Sequence, residues 1–305
     1  MSGTVSDTHR PPATAGAVLR LLRPYQWIKN GVVLLPLVFA QELNNPTAVT
    51  RALAATGIFC LISCAVYIFN DLLDRDQDRL HPDKRNRPLA SGAVSVRTAA
   101  LLCVVLVTAG LTGAAALSPR FSLAAFGYLA LMAAYSLGLK HLLLIDVICV
   151  ALGFVLRATG GAVAIDVRFS NWLVVCTLFL ALFLALGKRR HELAVLNADA
   201  PAHRAVHDAY SVDFLDAMIL LVAGAAMVSY TIYTCSQEVV TRIGTDKMYL
   251  TLPFVVYGLG RYLWLIRQGR DGGDPSMTLL RDYPLTVTVF CWLASCALVM
   301  HGAFS

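Results

Sequence analysis

The chain has 305 residues, of which 57% are hydrophobic and 14% are charged, and its formal net charge is +6. Soluble domains carry about a quarter charged residues, so this composition excludes an ordinary soluble protein. Apolar runs long enough to cross a bilayer recur along the whole sequence and predict an all-α polytopic membrane protein. Apart from the positive charge, no feature favours nucleic-acid binding, and we expect no nucleic-acid partner.

The first 17 residues differ from the rest of the chain. They are polar, contain Pro11 and Pro12, and lack the apolar core of a signal peptide. Such a segment predicts a disordered tail. We therefore divide the sequence into a disordered cytoplasmic tail at 1–17 and one transmembrane domain at 18–305.

Nine apolar segments predict nine membrane-spanning helices. The first of them is short and is interrupted by Pro36. The predicted bounds are 28–41, 52–72, 98–117, 121–138, 142–164, 171–187, 213–235, 249–267 and 284–303.

The distribution of Lys and Arg predicts the orientation of these spans. If the N-terminus is cytoplasmic, the inner segments hold eighteen of these cations and the outer segments hold five. Because cytoplasmic loops carry the excess of Lys and Arg, this asymmetry predicts a cytoplasmic N-terminus. We expect a multi-pass protein of the inner (plasma) membrane, with its active site facing the cytoplasm.

Residues 70–92, which follow the second span, set a row of carboxylates against a row of cations. In a helix, Asp71, Asp74 and Asp78 would share one face, bordered by Asn70. Stacked carboxylates repel one another unless a cation lies between them, and Mg²⁺ is usually held by one or two carboxylates plus substrate phosphates. We therefore predict that these four residues bind Mg²⁺ and that the three carboxylates are catalytic. The alternative is a solvated charged loop at the end of a helix.

Basic and aromatic residues gather on the same predicted face, where four inner elements could converge on one cavity. The alternative is that these cations anchor the spans and the aromatic residues belong to the interfacial belt. The predicted substrate-binding residues are Lys29, Lys84, Arg85, Arg87, Tyr135, Lys140, Lys188, Arg189 and Arg190.

The fifth predicted span contains two charged residues and three glycines, which are unusual enough within a membrane segment to indicate a specific role. Asp146 and Arg157 are three helical turns apart and therefore share a face, where they either contact substrate or brace the bundle. The glycines at 153, 160 and 161 predict close helix packing.

Other candidate metal or redox residues are few. The eight cysteines lie in or beside apolar spans without a CxxC pair, which predicts small buried residues. His203 and His207 are four residues apart but have no further ligands nearby in the sequence, and we interpret them as loop residues.

The acidic segment and its surroundings resemble the UbiA superfamily of membrane-embedded transferases. Asn70, Asp71, Asp74 and Asp78 match the superfamily's first motif, NDxxDxxxD, and the turn holding Tyr135 and Lys140 is also similar. The resemblance covers essentially the whole chain. It implies a nine-helix UbiA-type bundle, an active-site cavity on the cytoplasmic side and Mg²⁺ as cofactor.

The sequence departs from the superfamily's second motif in an informative way. Members that transfer prenyl groups to aromatic acceptors carry a second Asp-rich motif after the sixth span, where this chain has Lys188-Arg-Arg-His-Glu192. That segment, His81-Pro-x-Lys-Arg-x-Arg-Pro88 and Gly153-Phe-Val-Leu-Arg157 resemble the branch typified by decaprenyl-phosphate phosphoribosyltransferase. More cations and fewer carboxylates also suit a site that holds more phosphate.

The branch resemblance implies an enzyme of the pentosyltransferase class. It would move the phosphoribosyl group of phosphoribosyl pyrophosphate (PRPP) to a polyprenyl (decaprenyl) phosphate, toward a lipid-linked arabinose donor for a cell-wall polysaccharide such as arabinogalactan. The expected partners are these two substrates, the lipid bilayer and a second copy of the chain. The alternatives are an aromatic prenyltransferase and a membrane transporter of anionic metabolites.

Overall fold

The computed structural model describes residues 14–82, 84–168, 170–199, 210–268 and 274–300, and the regular secondary structure of this part is helical. The α-helices are α1 Ala15–Leu22, α2 Leu35–Phe39, α3 Pro46–Leu73, α4 Arg75–Leu80, α5 Val96–Leu117, α6 Pro119–Leu137, α7 Ile145–Ala164, α8 Asn171–Asp199, α9 Val212–Cys235, α10 Gln237–Ile243, α11 Leu252–Arg267, α12 Pro275–Arg281 and α13 Tyr283–Met300. The 3₁₀ segments are Pro24–Leu34, Glu42–Asn44, Lys84–Asn86, Leu139–His141 and Lys247–Thr251.

Eight helices in the described part are long and apolar enough to cross a membrane. They confirm the predicted second to ninth spans and the all-α class, and the protein is a multi-pass membrane protein. The eight are α3, α5, α6, α7, α8 as far as Ala194, α9, the segment Lys247–Arg267 that includes α11, and α13.

The predicted first span at 28–41 is not a single α-helix. It is the 3₁₀ segment Pro24–Leu34 followed by α2. Arg23, just before this segment, contacts Asp71 at the end of α3, whereas Leu37 packs in one cluster with Ala48 at the start of α3. A 3₁₀ helix rises about 2 Å per residue and an α-helix about 1.5 Å, so the segment is about 30 Å long and runs antiparallel to α3 across the bundle.

Several helices begin with a polar capping residue followed by a proline. The side chains of Asn45, Ser118 and Asp274 accept hydrogen bonds from backbone N–H groups in the first turns of α3, α6 and α12, and a proline follows each of them. A capping side chain satisfies an orphan N–H, and proline lacks the donor that would go unpaired there. The capping residue and the proline that follows it therefore define where each of these three helices begins.

Helix α7 packs closely against its neighbours through glycines, as predicted. A Cβ at Gly161 would overlap the Val33 carbonyl oxygen and lie 2.9 Å from its carbon. A Cβ at Gly160 would lie 2.9 Å from the ring of Phe59. The 3₁₀ segment and α3 therefore both approach α7, which brings their polar ends to one end of the bundle.

Three smaller predictions have mixed outcomes. Residues 1–13 of the predicted tail lie outside the described residues, but Ala17 is buried within α1, so the predicted tail boundary is wrong. All eight cysteines are free thiols, but only Cys64, Cys149 and Cys296 are buried, whereas three others are half-buried and two are exposed. The pair His203 and His207 lies outside the described residues.

We expect Gly161→Ala to lower the midpoint of thermal unfolding in detergent, because the added methyl group must push the Val33 backbone away from α7. Overpacking of this kind typically costs about 1–3 kcal/mol. The matched control is Gly224→Ala in α9, where a Cβ meets no heavy atom within 4 Å. Equal midpoints for the two variants would contradict the proposed close approach.

Candidate active site

The carboxylates at the end of α3 do not form the single helical face that was predicted. Helix α3 ends at Leu73, Asp74 adopts φ −90° and ψ 1°, and α4 begins at the next residue. The break turns the chain, so that the four predicted metal ligands separate into two pairs, each gathered around a different cation.

Asp71 and Asp78 form the first pair. Arg87 Nη1 lies 3.1 Å from Asp71 Oδ1 and 2.7 Å from Asp78 Oδ2. Arg23 Nη2 contacts both carboxylate oxygens of Asp71 at 2.6 Å. The two carboxylates are only 1% and 4% exposed, so their charges require cations in direct contact.

Asn70 and Asp74 form the second pair. The amide Nδ2 of Asn70 donates to Asp74 Oδ2 at 2.9 Å. Lys140 Nζ lies 2.5 Å from Asp74 Oδ1 and 3.4 Å from Asn70 Oδ1. The predicted turn residue Lys140 is therefore directly in contact with the acidic segment.

The donor set fits Mg²⁺ as two pairs rather than as one ladder. In the described part of the chain, no three His, Cys, Asp or Glu side chains are grouped to hold a metal ion. Each pair nevertheless directs two hard oxygen donors at one cation position. This is the number of protein ligands that Mg²⁺ commonly takes when substrate phosphates and water complete its octahedron.

Arg23 is a site residue that the sequence analysis missed. It has φ 52° and ψ 59°, a left-handed conformation that is uncommon for a residue other than glycine. This conformation turns the chain between α1 and the 3₁₀ segment. No local motif marks Arg23, because its partner Asp71 is 48 residues away.

A second charged cluster joins α6, α7 and α8 around Arg189. Its guanidinium bonds Asp146 Oδ2 at 2.6 Å, Glu192 Oε2 at 2.8 Å and the Tyr135 hydroxyl at 3.4 Å. Tyr210 donates a 2.8 Å hydrogen bond to the other oxygen of Asp146. The predicted residues Tyr135 and Arg189 therefore meet, and Glu192 and Asp146 are both neutralised.

The three predicted cations of α8 do not form one group, because Lys188 and Arg189 share Glu192 whereas Arg190 does not. Because α8 continues as a helix to Asp199, residues 188, 189 and 190 point in different directions. Lys188 pairs with Glu192 at 3.5 Å, but Arg190 turns toward Asp216 at 2.7 Å and the Ile266 carbonyl at 3.0 Å. Arg190 thus braces α8 against α9 and α11, and its prediction as a substrate-binding residue is not supported by its position.

The segment Lys84–Asn86 lies between the acidic segment and the charged cluster around Arg189. Lys84 interacts electrostatically with Asp78 and Arg87 on one side and with Glu192 and Lys188 on the other. Lys84 is exposed to solvent, but the surrounding protein removes part of its hydration, which lowers its pKa, and repulsion from Arg87 lowers the pKa further. Arg85 lies exposed on the same segment.

Asp274, just before α12, is another residue that the sequence analysis missed. It accepts hydrogen bonds from Gln26 Nε2 at 2.7 Å and from the Ser276 N–H at 3.0 Å, and it lies 3.9 Å from Lys29 Nζ. Burial alone would raise the pKa of Asp274, but the attraction of Lys29 and these hydrogen bonds lower it below its usual value. The site therefore gathers four predicted inner elements and a fifth from α12.

The comparisons with known proteins agree with this architecture. Residues 31–293 match the UbiA prenyltransferase family. The chain belongs to this family. Membership makes it a membrane-embedded transferase.

Individual relatives match over nearly the full chain. The decaprenyl-phosphate phosphoribosyltransferase of Mycobacterium tuberculosis H37Rv is 32% identical over 291 residues, which cover 94% of this chain and 95% of that protein. The protein of the same name from Mycolicibacterium smegmatis is 29% identical over 305 residues, covering 97% and 96%. Among solved structures, a UbiA homologue from Archaeoglobus fulgidus bound to GPP and Mg²⁺ has a TM-score of 0.70 at 22% identity, covering 93% of this chain and 99% of that one, which shows the shared fold.

We expect Asp274→Asn to destabilise the protein at neutral pH by an amount that shrinks in acid. The pKa of Asp274 lies below the ordinary 3.8, so the charged form contributes its full stabilisation above that value and loses it as pH falls through the folded pKa. Unfolding midpoints of wild type and variant, measured from about pH 7 to about pH 3, should therefore converge. The control is Asp76→Asn, whose carboxylate is 79% exposed, and a constant gap for Asp274→Asn would contradict the lowered pKa.

Proposed function

We propose that this protein transfers the 5-phosphoribosyl group of PRPP to a long-chain polyprenyl phosphate, such as decaprenyl phosphate, in a Mg²⁺-dependent reaction that releases diphosphate. The observation that carries the proposal is that Lys84 lies within electrostatic range of both Asp78 in the acidic segment and the Lys188–Glu192 pair of α8. A prenyl transferase of this family would carry a second acidic motif at that position. Full-length relatives named for this reaction support the same substrate pair.

The residues of the candidate site form one group of oxygen donors and one group of cations. Asn70, Asp71, Asp74 and Asp78 would hold Mg²⁺, which when bound neutralises negative charge on the leaving diphosphate. Cations of the same site are suited to bind phosphate oxygens through charged hydrogen bonds. These cations are Arg23, Lys29, Lys84, Arg87, Lys140 and Lys188.

The chemistry needs no protein base. The phosphate of the acceptor is already anionic near neutral pH, and one of its oxygens forms the new bond to C1 of the ribose. The bond from C1 to the diphosphate breaks, and the diphosphate leaves with the electron pair. The chain's task is to orient two anionic substrates and to balance their charge.

Prenyl transfer to an aromatic acceptor remains the alternative enzyme, and one observation weighs against it. Glu192 and Asp146 are the carboxylates of the cluster around Arg189, and Arg189 and Lys188 already neutralise them. Family membership leaves the transporter alternative without support.

The proposal extends to location and biological role. The acidic segment lies at the same end of the bundle as Arg23, and the excess of cations in the predicted inner segments supports a cytoplasmic location for this end. We place the protein in the inner membrane with that orientation. A lipid-linked pentose phosphate is the chemical precursor of a lipid-linked arabinose donor for cell-wall polysaccharide, and association into a homo-oligomer stays a prediction.

A paired transfer assay with purified protein and Mg²⁺ tests the substrate class. One reaction contains ribose-labelled PRPP and decaprenyl phosphate, and the other contains labelled prenyl diphosphate and 4-hydroxybenzoate. We expect labelled lipid product only in the first reaction, and its loss when EDTA removes the metal. Product only in the second reaction would overturn the proposal in favour of prenyl transfer.

We expect Asp78→Asn to lower kcat by at least about a hundredfold, since the variant loses one charged oxygen of the first pair. Asp76→Asn is the matched control, because Asp76 is a carboxylate two residues away that contacts Arg75 and Arg79 on the exposed side of α4. It should keep near-wild-type turnover. Thermal midpoints would show that both variants are folded, and equal turnover would remove Asp78 from the metal site.

A further inference from the structure

Arg157 is a buried cation with an unusual set of partners. It is 5% exposed, and its Nε has no hydrogen-bond partner in the part of the chain that the structure describes. Its other nitrogens bond the Tyr128 hydroxyl at 2.6 Å and the Gly153 carbonyl at 3.5 Å, and its guanidinium lies 4.4 Å from the centre of the Tyr128 ring. All of these partners are neutral.

The cations around it are different. Arg23, Lys29, Lys140 and Arg189 each have a carboxylate within 4 Å. Arg157 has no such partner among residues 14–82, 84–168, 170–199, 210–268 and 274–300. A buried charge without a counter-ion is strongly unfavourable, and charges within membrane bundles normally face a partner or a functional cavity. Because none of the described residues supplies a counter-ion, Arg157 is suited to pair with an anionic ligand.

The position of Arg157 links it to the active site. Its side chain runs back along α7 toward the end where Asp146 lies, as the bond to the Gly153 carbonyl requires. Tyr67 interacts electrostatically with both Arg23 and Arg157, and Lys29 does the same. Arg157 is thus within electrostatic range of Lys29 and of Tyr67, whose ring centre lies 5.5 Å from the guanidinium of Arg23.

The depth of this position can be read from α3. Ser63, which contacts the Tyr128 hydroxyl at 3.4 Å, precedes Asp71 by eight residues, or about 12 Å along the helix. The Tyr128–Arg157 contact is therefore below the acidic segment but is joined to it by Tyr67 and Arg23.

We propose that Arg157 forms a separate subsite for a phosphate monoester at the floor of the active site. This inference rests on the proposed function, in which both substrates carry such a group: the 5-phosphate of PRPP and the headgroup of the polyprenyl phosphate. The planar guanidinium has an Nε–H without a bond to the described residues, and a guanidinium can pair with phosphate oxygens in a forked geometry that lysine cannot reproduce. The subsite would hold one monoester apart from the diphosphate, which belongs to the acidic segment.

A purely structural role and a phosphate-binding role for Arg157 predict different effects of its substitution on the ligand-free unfolding midpoint. If Arg157 braces the bundle, its removal should lower the unfolding midpoint in the absence of ligand. If it waits for an anion, replacing it by a neutral side chain removes an uncompensated charge, and the ligand-free midpoint should be unchanged or higher. The same substitution should then weaken phosphate binding.

The test uses the full chain in detergent, with Arg157→Gln and the control Arg51→Gln. Arg51 bonds backbone carbonyls of Ala164 and Leu117 at the other end of the bundle, so its loss reports a structural arginine. Unfolding midpoints are measured without ligand and with inorganic phosphate as the probe. We expect phosphate to stabilise the wild type and Arg51→Gln but not Arg157→Gln.

Steady-state kinetics then identify the source of the phosphate. Loss of a charged hydrogen bond to a monoester should raise the KM of the substrate that carries it roughly tenfold or more. A rise for PRPP assigns the 5-phosphate, and a rise for decaprenyl phosphate assigns the lipid headgroup. Equal phosphate stabilisation of all three proteins, or unchanged KM values for both substrates, would overturn the subsite.

Failure of the proposed function would look different. It would be seen as absence of phosphoribosyl transfer by the wild-type protein. The phosphate-dependent midpoints of Arg157→Gln and Arg51→Gln would still decide whether the subsite exists.

Discussion

Neutralisation of buried carboxylates at the end of α3 is the constraint on which the site depends. Asp71 and Asp78 are almost entirely removed from water, and such charges are tolerated only with cations in contact. Arg23 comes from the junction after α1, and Arg87 comes from the connection before α5. Satisfying two carboxylates therefore ties two separate segments of the chain to one helix end.

The same rule organises the rest of the cluster and explains its suitability for phosphates. Lys140 is held by Asp74, Arg189 by Asp146, and Lys29 by Asp274. A phosphate offers the same kind of oxygen as a carboxylate, so an anionic substrate can take over these cations while a divalent ion takes over the acidic side chains. Such an exchange of partners leaves no charge unpaired, and a site of this kind can bind and release highly charged molecules beside a low-dielectric bilayer.

Local sequence signals predicted most of the fold but only part of the site. Apolar length located the spans, and the spacing of Asn70 and the three aspartates that follow it located the first motif. The helix break at Asp74 could not be foreseen, because Leu-Leu-Asp-Arg-Asp-Gln-Asp is compatible with a continuous helix. Asp274 could be recognised as a helix cap from its following proline, but its bond to Gln26 spans 248 residues and depends on tertiary packing. Arg189 and Arg190 likewise point in different directions because α8 continues as a helix through them. The charged sequence alone does not predict that the helix continues there.

The 3₁₀ character of the first crossing has a geometric consequence for the whole site. Three residues make one turn of such a helix, so every third side chain lies on the same edge of a three-sided rod. One edge carries Trp27, Asn30 and Val33 against α3 and α7, and a second carries Gln26 and Lys29 to Asp274. A single inserted residue would rotate everything beyond it by a third of a turn and exchange the edge that packs for the edge that meets ions. The number of residues in this segment therefore matters more than their identity. It determines which side chains pack against α3 and α7 and which side chains meet Asp274.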